Sequence, residues 1–148
     1  MTRDGQTREA ITALGSLLDQ GAVSAAWETS LRAPVWNGPL RWVHGDLLPG
    51  NLLFRSGHLS AVIDFGGLGV GDPACDLLPA WSLLTGAARQ VFRARVAGDD
   101  DALWLRGRGQ ALAQALAFIP YYLRTNPVGV QTAWHVVAEV LKDAEAEA

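Results

Sequence analysis

The sequence predicts an α+β fold that is mostly α-helical, with a small layer of β-strands near its centre. Apolar residues recur at helical spacing in the first fifth of the chain and again throughout its second half. Between them, residues 41–65 contain short runs of strand-forming residues bounded by Gly, Pro and Asn. With 148 residues, of which 49% are hydrophobic, the chain is long enough for one domain with a core of its own.

Two helices are predicted in the first part of the chain. Apolar spacing indicates one helix from about residue 8 to residue 20, with Gly21 expected to end it. A second, short helix is predicted around Trp27. The stretch APVWNGPL, residues 33–40, is dense in Pro and Gly and is therefore predicted to be a connector.

The β-layer is predicted from three short segments. RWVHG (41–45) and NLLF (51–54) have the composition of strands, and LSAVIDF (59–65) is expected to form a third strand after a turn at residues 56–57. We expect these segments to form a hairpin-like layer around the loop at residues 46–51.

Helices are predicted to resume after the β-layer. Asp72-Pro73 is a typical helix start, because an N-cap oxygen precedes Pro at the first helical position, and Thr85-Gly86 is a plausible end. The acidic run at residues 99–101 opens a long amphipathic helix that we expect to end at Pro120. Asn126-Pro127 predicts the start of a last helix.

Charge and composition exclude several classes of function. The chain carries 12 basic and 15 acidic residues, and this net charge of −3 argues against nucleic acid as the main partner. No apolar run approaches the ~20 residues of a membrane-spanning helix, and no secretory signal is visible, so we expect no membrane association and a cytoplasmic location. Cys75 is the only cysteine, which excludes an intrachain disulfide and a multi-thiolate zinc site.

The basic residues are unevenly distributed. Eleven are arginines and only Lys142 is a lysine, and the Ala/Glu tail that follows it is expected to fray. A stretch with Arg89 and Arg93 through Arg108 favours a solvated helix face, with contact to a phosphate or a second lobe as the alternative.

The segment HGDLLPGNLLF contains the polar residues that indicate chemistry. His44, Asp46 and Asn51 stand there among apolar, Gly and Pro residues, and Asp64 ends the apolar run AVID. Mg²⁺ is usually held by one or two carboxylates together with substrate phosphates, so Asn51 and Asp64 are suitable ligands and Asp46 remains free as a base. The alternative is that these are ordinary turn and cap residues, which are frequently Asp and Asn.

The spacing of these residues is typical of kinases. In kinases, the Asp of an H-x-D-x-x-x-x-N segment accepts the proton of the substrate hydroxyl, while the Asn and the Asp of D-F-G hold the metal ions. Here the first pattern occupies residues 44–51 and the second residues 64–66. The glycines that follow, at residues 66–71, do not form a dinucleotide or Walker-type phosphate loop and are expected to let the backbone turn.

Three parts of the sequence closely resemble the aminoglycoside phosphotransferase family: HGDLLPGNLL, AVIDFGGLGVGDPACDL, and RGRGQALAQAL with YYLRTNP. This family is related to choline and macrolide kinases and shares the protein-kinase-like fold. The resemblance begins near Trp27 and covers the family's C-terminal, catalytic lobe only. It therefore implies that residues 1–148 are the C-terminal lobe of a protein-kinase-like fold, with a small β-hairpin layer at the catalytic loop.

The resemblance also implies roles for individual residues. Asp46 becomes the catalytic base, Asn51 and Asp64 become Mg²⁺ and cofactor-binding ligands, and His44 supports the loop. Two further carboxylates would act behind the site: Asp72 as a helix cap, and Asp76 through hydrogen bonds back to the catalytic loop.

The cofactors and partners implied are Mg²⁺, ATP or GTP as phosphate donor, and a small-molecule hydroxyl acceptor. Gly45 stands where protein kinases place an Arg, and no Ala-Pro-Glu motif follows, which favours a small molecule over a protein as acceptor. Aminoglycosides, other antibiotics, choline-like alcohols and sugars all remain open.

The nucleotide lobe expected of such a kinase has no counterpart in this sequence. A strand lysine and a Gly-rich cover over the phosphates are required, whereas the residues before RWVHG are predicted to be helical and Lys142 lies on the last helix. Three explanations are open: a fragment, a half that a separate lobe or a second copy completes, and a pseudokinase-like module that binds without turnover.

Overall fold

Six α-helices and two small antiparallel sheets form the structure, a computed structural model that describes residues 2–147. The helices are α1 (Arg3–Leu14), α2 (Gln20–Leu31), α3 (Pro79–Ser82), α4 (Gly86–Val96), α5 (Asp101–Tyr122) and α6 (Pro127–Glu145). The strands are β1 (Arg41–Val43), β2 (Leu52–Arg55), β3 (His58–Val62) and β4 (Gly69–Gly71). The predicted fold class, mostly helical α+β with a small β-layer, is confirmed.

The end of the first helix and the start of the second differ from the prediction. Helix α1 ends at Leu14, because Gly15 adopts a left-handed backbone with φ +52° that breaks the helical path. Gly21 lies inside the first turn of α2, so the prediction that it ends a helix is wrong. Asp19 begins α2 instead, as its carboxylate accepts a hydrogen bond from the Ala22 N–H at 3.0 Å.

The β-layer consists of two separate strand pairs. Strands β2 and β3 form the predicted hairpin, whose turn contains the positive-φ residues Ser56 and Gly57. The first predicted segment pairs elsewhere: strand β1 pairs with β4, with Trp42 opposite Val70, and not with the hairpin. The sequence of β4 is Gly-Val-Gly, which has no strand-like composition, and its pairing with β1 holds it extended.

The helices after the β-layer are divided differently from the prediction. Asp72 caps a short 3₁₀ turn, Pro73–Leu77, which leads into the single turn of α3. Thr85-Gly86 starts α4 and does not end a helix. Pro120 lies within α5, which continues to Tyr122 before it ends, so the predicted helix boundary is short by two residues.

The core surrounds α5, which packs against α1, α2 and α6. Four of its apolar side chains are completely buried: Trp104, Leu112, Leu116 and Ile119. Burial on three sides explains why this long helix tolerates a proline and two glycines in its interior. No helix among residues 2–147 is long and apolar enough to cross a membrane.

A buried ionic cluster joins α3, α4, α5 and α6. Arg89, of which 4% is exposed, pairs with Glu139 and donates to the Ala80 carbonyl at 2.8 Å. Arg108 is equally buried and pairs with Glu147 at 2.7 Å. The expectation of a solvated arginine face is therefore wrong for these two residues.

The same cluster holds the last described residues in place. Glu147 pairs with both Arg93 and Arg108, so the expected fraying after Lys142 is wrong for residues 143–147, and Ala148 lies outside the described residues. Burial alone would raise the pKa of Glu139, but hydrogen bonds from Lys142 and Arg89 outweigh burial and lower it below its usual value of 4.5.

Candidate active site

The predicted catalytic loop, residues 44–51, connects β1 to β2. Two backbone hydrogen bonds fold it: the Leu48 N–H donates to the Asp46 carbonyl, and the Asn51 N–H donates to the Leu48 carbonyl, both at 2.9 Å. Pro49 begins the short 3₁₀ turn that ends at Asn51. The loop is thus a tightly bonded segment that brings Asn51 back towards Asp46.

Asp76 binds the start of this loop. Its two carboxylate oxygens accept hydrogen bonds from the backbone N–H groups of His44 and Gly45, both at 2.8 Å. A carboxylate that satisfies two adjacent backbone donors fixes the direction of the chain at that point. Asp76 reaches this position because it lies in the 3₁₀ turn Pro73–Leu77, beside β1.

The His44 ring links the loop to the end of β3. Its Nδ1 accepts from the Asp46 N–H at 3.3 Å, so Nε2 carries the proton and donates to the Ile63 carbonyl at 3.0 Å. The ring also contacts Phe65, with ring centroids 4.7 Å apart. His44 is 7% exposed and both of its nitrogens are engaged within the protein, which suits a supporting residue.

Two glycines allow the loop and the segment after Asp64 to approach each other. Gly45 has φ +80°, and a Cβ added to it would lie 2.7 Å from the Gly67 carbonyl oxygen. A Cβ on Gly67 would in turn lie 2.9 Å from the His44 carbonyl oxygen. Side chains at these positions would separate the two segments that carry Asp46 and Asp64.

The Asp46 carboxylate is held from two sides. Asn51 donates through Nδ2 to the Asp46 Oδ2 at 3.1 Å and to its carbonyl at 2.8 Å. Gln114 of α5 donates through Nε2 to Asp46 Oδ1 at 3.1 Å. Sequence reasoning missed Gln114, because a glutamine on a helix 68 residues away carries no local signal of this contact.

Asp64 sits at a sharp bend after β3. Its backbone is left-handed, with φ +61° and ψ +66°, a conformation that Asp tolerates better than most residues. Its Oδ1 accepts a 3.4 Å hydrogen bond from the Gly66 N–H and so caps the short 3₁₀ turn that follows, Phe65–Gly67. A bond from the Ile63 N–H to the Asn51 carbonyl, 3.0 Å long, ties this bend to the catalytic loop.

Asp46, Asn51 and Asp64 line one cavity of about 360 Å³. Its opposite wall comes from α5 and α6, through Gln114, Phe118, Thr132 and Val136 among others. The structure therefore brings the three predicted chemical residues to a common space between the catalytic loop and the last two helices.

The donor set at this cavity fits a hard divalent cation. The Asn51 Nδ2 faces Asp46, so its Oδ1 is left without a protein donor among residues 2–147, as is Asp64 Oδ2. A carboxylate and an amide oxygen together match the usual protein share of Mg²⁺ coordination, in which phosphate and water oxygens complete the shell. No cluster of three His, Cys, Asp or Glu side chains exists within the described part of the chain, so a cation here depends on such outside oxygens.

Asp72 lies outside the cavity. Its Oδ1 accepts from the Ala74 N–H at 3.0 Å, and its Oδ2 pairs with Arg106 at 2.7 Å, so both oxygens are used in structure. Cys75, next in the turn, donates its thiol to the Asp72 carbonyl. Burial raises the pKa of this thiol, with Asp76 and Asp72 adding to the effect, so it is a poor nucleophile.

Comparisons with known proteins identify a family. A family model described as phosphotransferase enzyme family matches residues 3–116. A solved structure of the gentamicin-APH(2")-IIa complex is similar at 22% sequence identity, with a TM-score of 0.48. The match covers 95% of this chain and 54% of the solved one, so this chain spans about half the length of that relative. Among curated proteins there is no match.

Proposed function

The chain belongs to the phosphotransferase enzyme family, and from this membership we propose that it is the C-terminal catalytic lobe of an ATP- and Mg²⁺-dependent kinase of small molecules. The reaction is transfer of the γ-phosphate to a hydroxyl group. The observation that carries this proposal is the shared cavity of Asp46, Asn51 and Asp64. ATP is proposed over GTP by family association alone, and the cytoplasm is the compartment we expect.

Asp46 is proposed to bind the acceptor hydroxyl and take its proton. As the acceptor oxygen forms its bond to the γ-phosphorus, the bond between that phosphorus and the β–γ bridging oxygen breaks, and the nucleoside diphosphate leaves with that electron pair. Hydrogen bonds from Asn51 and Gln114 orient the Asp46 carboxylate before the acceptor arrives. Most of the rate enhancement then comes from positioning.

Asn51 and Asp64 are proposed to hold Mg²⁺. When bound, the ion neutralises charge on the phosphate oxygens of the nucleotide. The protein's own contribution is to keep the two ligand oxygens at one rim of the cavity, through the bond between Ile63 and Asn51 and the left-handed bend at Asp64.

We propose that a separate β-rich lobe supplies the nucleotide, either joined to these residues in one polypeptide or carried by another chain. The exposed apolar residues of the two sheets support this. They include Trp42 opposite Val70 and Phe54 opposite Leu59, and more than half of each of these four side chains is exposed. Each of the two sheets therefore exposes an apolar cross-strand pair, which favours contact with another protein element.

The test is Asp46→Asn in the protein that carries both lobes. We expect phosphoryl transfer to fall by at least about 10²-fold, the scale of a lost general base, while Mg·ATP binding is retained. The matched control is Asp99→Asn, which makes the same chemical change at an exposed residue outside the cavity. Turnover with Asp46→Asn equal to that of the control would refute the assignment.

The alternative, a pseudokinase-like binding module, predicts a different result. Mg·ATP would then bind with the same affinity to the natural protein and to Asp46→Asn, and neither would phosphorylate any member of a hydroxyl-acceptor panel. Calorimetry of nucleotide binding together with a radiolabelled phosphate-transfer assay separates the two proposals.

A further inference from the structure

We propose that the acceptor at this site is an uncharged, largely apolar alcohol and not an amino sugar with several ammonium groups. The inference rests on the proposed function and concerns the acceptor side of the same cavity, where the walls of α5 and α6 face the catalytic loop.

Few of the residues that line the cavity are charged, and each of these already has a proposed role. Of the described side chains that line it, only Asp46 and Asp64 carry a formal charge. Asp46 is required for the acceptor hydroxyl and Asp64 for the metal ion, so neither remains to neutralise an ammonium group. An ammonium group removed from water without a carboxylate partner is strongly disfavoured.

The carboxylates of Asp76 and Asp72, which do not line the cavity, are not available to neutralise an ammonium group either. Asp76 has both oxygens bonded to backbone N–H groups of the catalytic loop. Asp72 has its oxygens bonded to Arg106 and to the Ala74 N–H. A cationic acceptor would have to break one of these arrangements to gain a partner.

The acceptor wall is mainly apolar. Among the residues that line it, Leu78 and Val136 are almost fully buried and Phe118 is half-buried. Burial of apolar ligand surface against such a wall is favourable, whereas the wall offers an ammonium group no favourable contact.

The other polar side chains of the wall are uncharged, and several of them make a hydrogen bond within the protein. Gln114 donates to Asp46, the Asn126 Oδ1 accepts from the Gly129 N–H, and the Thr132 hydroxyl donates to the Val128 carbonyl. The donors and acceptors that these side chains still offer a substrate are uncharged, so they cannot neutralise an ammonium group. The cavity volume of about 360 Å³ is suited to one or two fused or linked rings.

The test compares a neutral alcohol with its singly charged analogue and with an amino sugar. The probes are 4-cyclohexylcyclohexanol, its analogue with one amino group on the second ring, and kanamycin as an amino sugar with several ammonium groups. Dissociation constants are measured by calorimetry on the 148-residue chain with Mg²⁺ present. We expect the neutral alcohol to bind at least about tenfold more tightly than its ammonium analogue, and kanamycin more weakly than both.

A charge variant tests whether the cavity itself sets this preference. Val128 is 73% exposed at the cavity rim, in the first turn of α6, where a carboxylate is compatible with the helix dipole. Val128→Glu is expected to shift the ratio of the two dissociation constants about threefold towards the ammonium analogue, as an exposed ion pair would. Val91→Glu, at a 61% exposed position on α4 outside the cavity, is the control and should leave the ratio unchanged.

The outcomes distinguish this inference from the proposed function. Tighter binding of kanamycin, absence of binding by the neutral alcohol, or an equal effect of the two valine variants would overturn the inference. If the neutral alcohol binds but the two-lobed protein phosphorylates no alcohol, the preference of the cavity stands and the proposed reaction is wrong. If that protein phosphorylates kanamycin efficiently, the reaction stands and the inference is wrong.

Discussion

Removal of the Asp76 carboxylate should destabilise the protein through the catalytic loop. In Asp76→Ala, the backbone N–H groups of His44 and Gly45 lose acceptors that lie 2.8 Å away. A hydrogen bond to a charged group contributes roughly 1.5–3 kcal/mol, and because these two are only partly buried we take the lower end, about 3 kcal/mol for the pair. For a domain of this size, that corresponds to a decrease in Tm of about 6–12 °C.

Urea unfolding followed by far-UV circular dichroism measures this loss directly. Asp76→Asn keeps one acceptor oxygen and should lose about half as much free energy of unfolding. Asp99→Ala, which removes an exposed carboxylate, is the control and should change the free energy of unfolding by less than about 0.5 kcal/mol. If Asp76→Ala is as stable as this control, Asp76 does not hold the loop in solution.

Three further variants test other parts of the structure. Glu139→Gln removes the carboxylate nearest to the buried Arg89 and leaves it with the Asp143 carboxylate at 3.9 Å, so the free energy of unfolding in urea should fall by about 3 kcal/mol, the lower end of the range for a broken buried pair. Because the pKa of Glu139 is lowered on folding, its contribution is present above pH 4.5 and is lost as the pH falls through the lower folded value. The Tm measured downwards from pH 4.5 should therefore fall more steeply for the natural protein than for the variant. Gly45→Ala, at φ +80°, should cost about 2 kcal/mol or more, whereas Gly50→Ala, with open space around it, should be nearly neutral in the same assay. Gln114→Leu removes a donor from the catalytic-loop carboxylate and should lower kcat of the two-lobed protein about tenfold with the KM for ATP unchanged, while equal kcat values would exclude an orienting role.

Local signals predicted the parts of the fold that local chemistry determines. The caps of α5 and α6 are examples: Asp100 accepts from the Leu103 N–H at 2.8 Å and Asn126 from the Gly129 N–H at 2.9 Å. The β2–β3 hairpin was also predictable, since its two strands and turn are adjacent in sequence. In these elements the residues that determine the structure lie within a few positions of one another.

Long-range contacts account for what the sequence analysis missed. Strand β4 is extended because it pairs with β1, about 28 residues earlier, and not because of its composition. Arg89 is buried because Glu139, 50 residues later, neutralises it. In the candidate site, residues 44–51 and 64–66 are local motifs and could be predicted, whereas Gln114 meets Asp46 only through the packing of α5.

The two sides of the site differ in the kind of contact that holds them. The helices α5 and α6 that form the wall are also joined by the buried ionic cluster. Asp143 of α6 belongs to this cluster and accepts hydrogen bonds from the indole N–H groups of both Trp81 and Trp104. The loop side is held by hydrogen bonds, chiefly those of Asp76 and His44, and the strands beside it are largely exposed. A rigid wall suits recognition of the acceptor, because a preformed cavity avoids the cost of ordering side chains on binding. Because the acceptor wall belongs to the helical core and not to the exposed strands that we propose the second lobe covers, we expect the acceptor preference to be measurable on this chain alone.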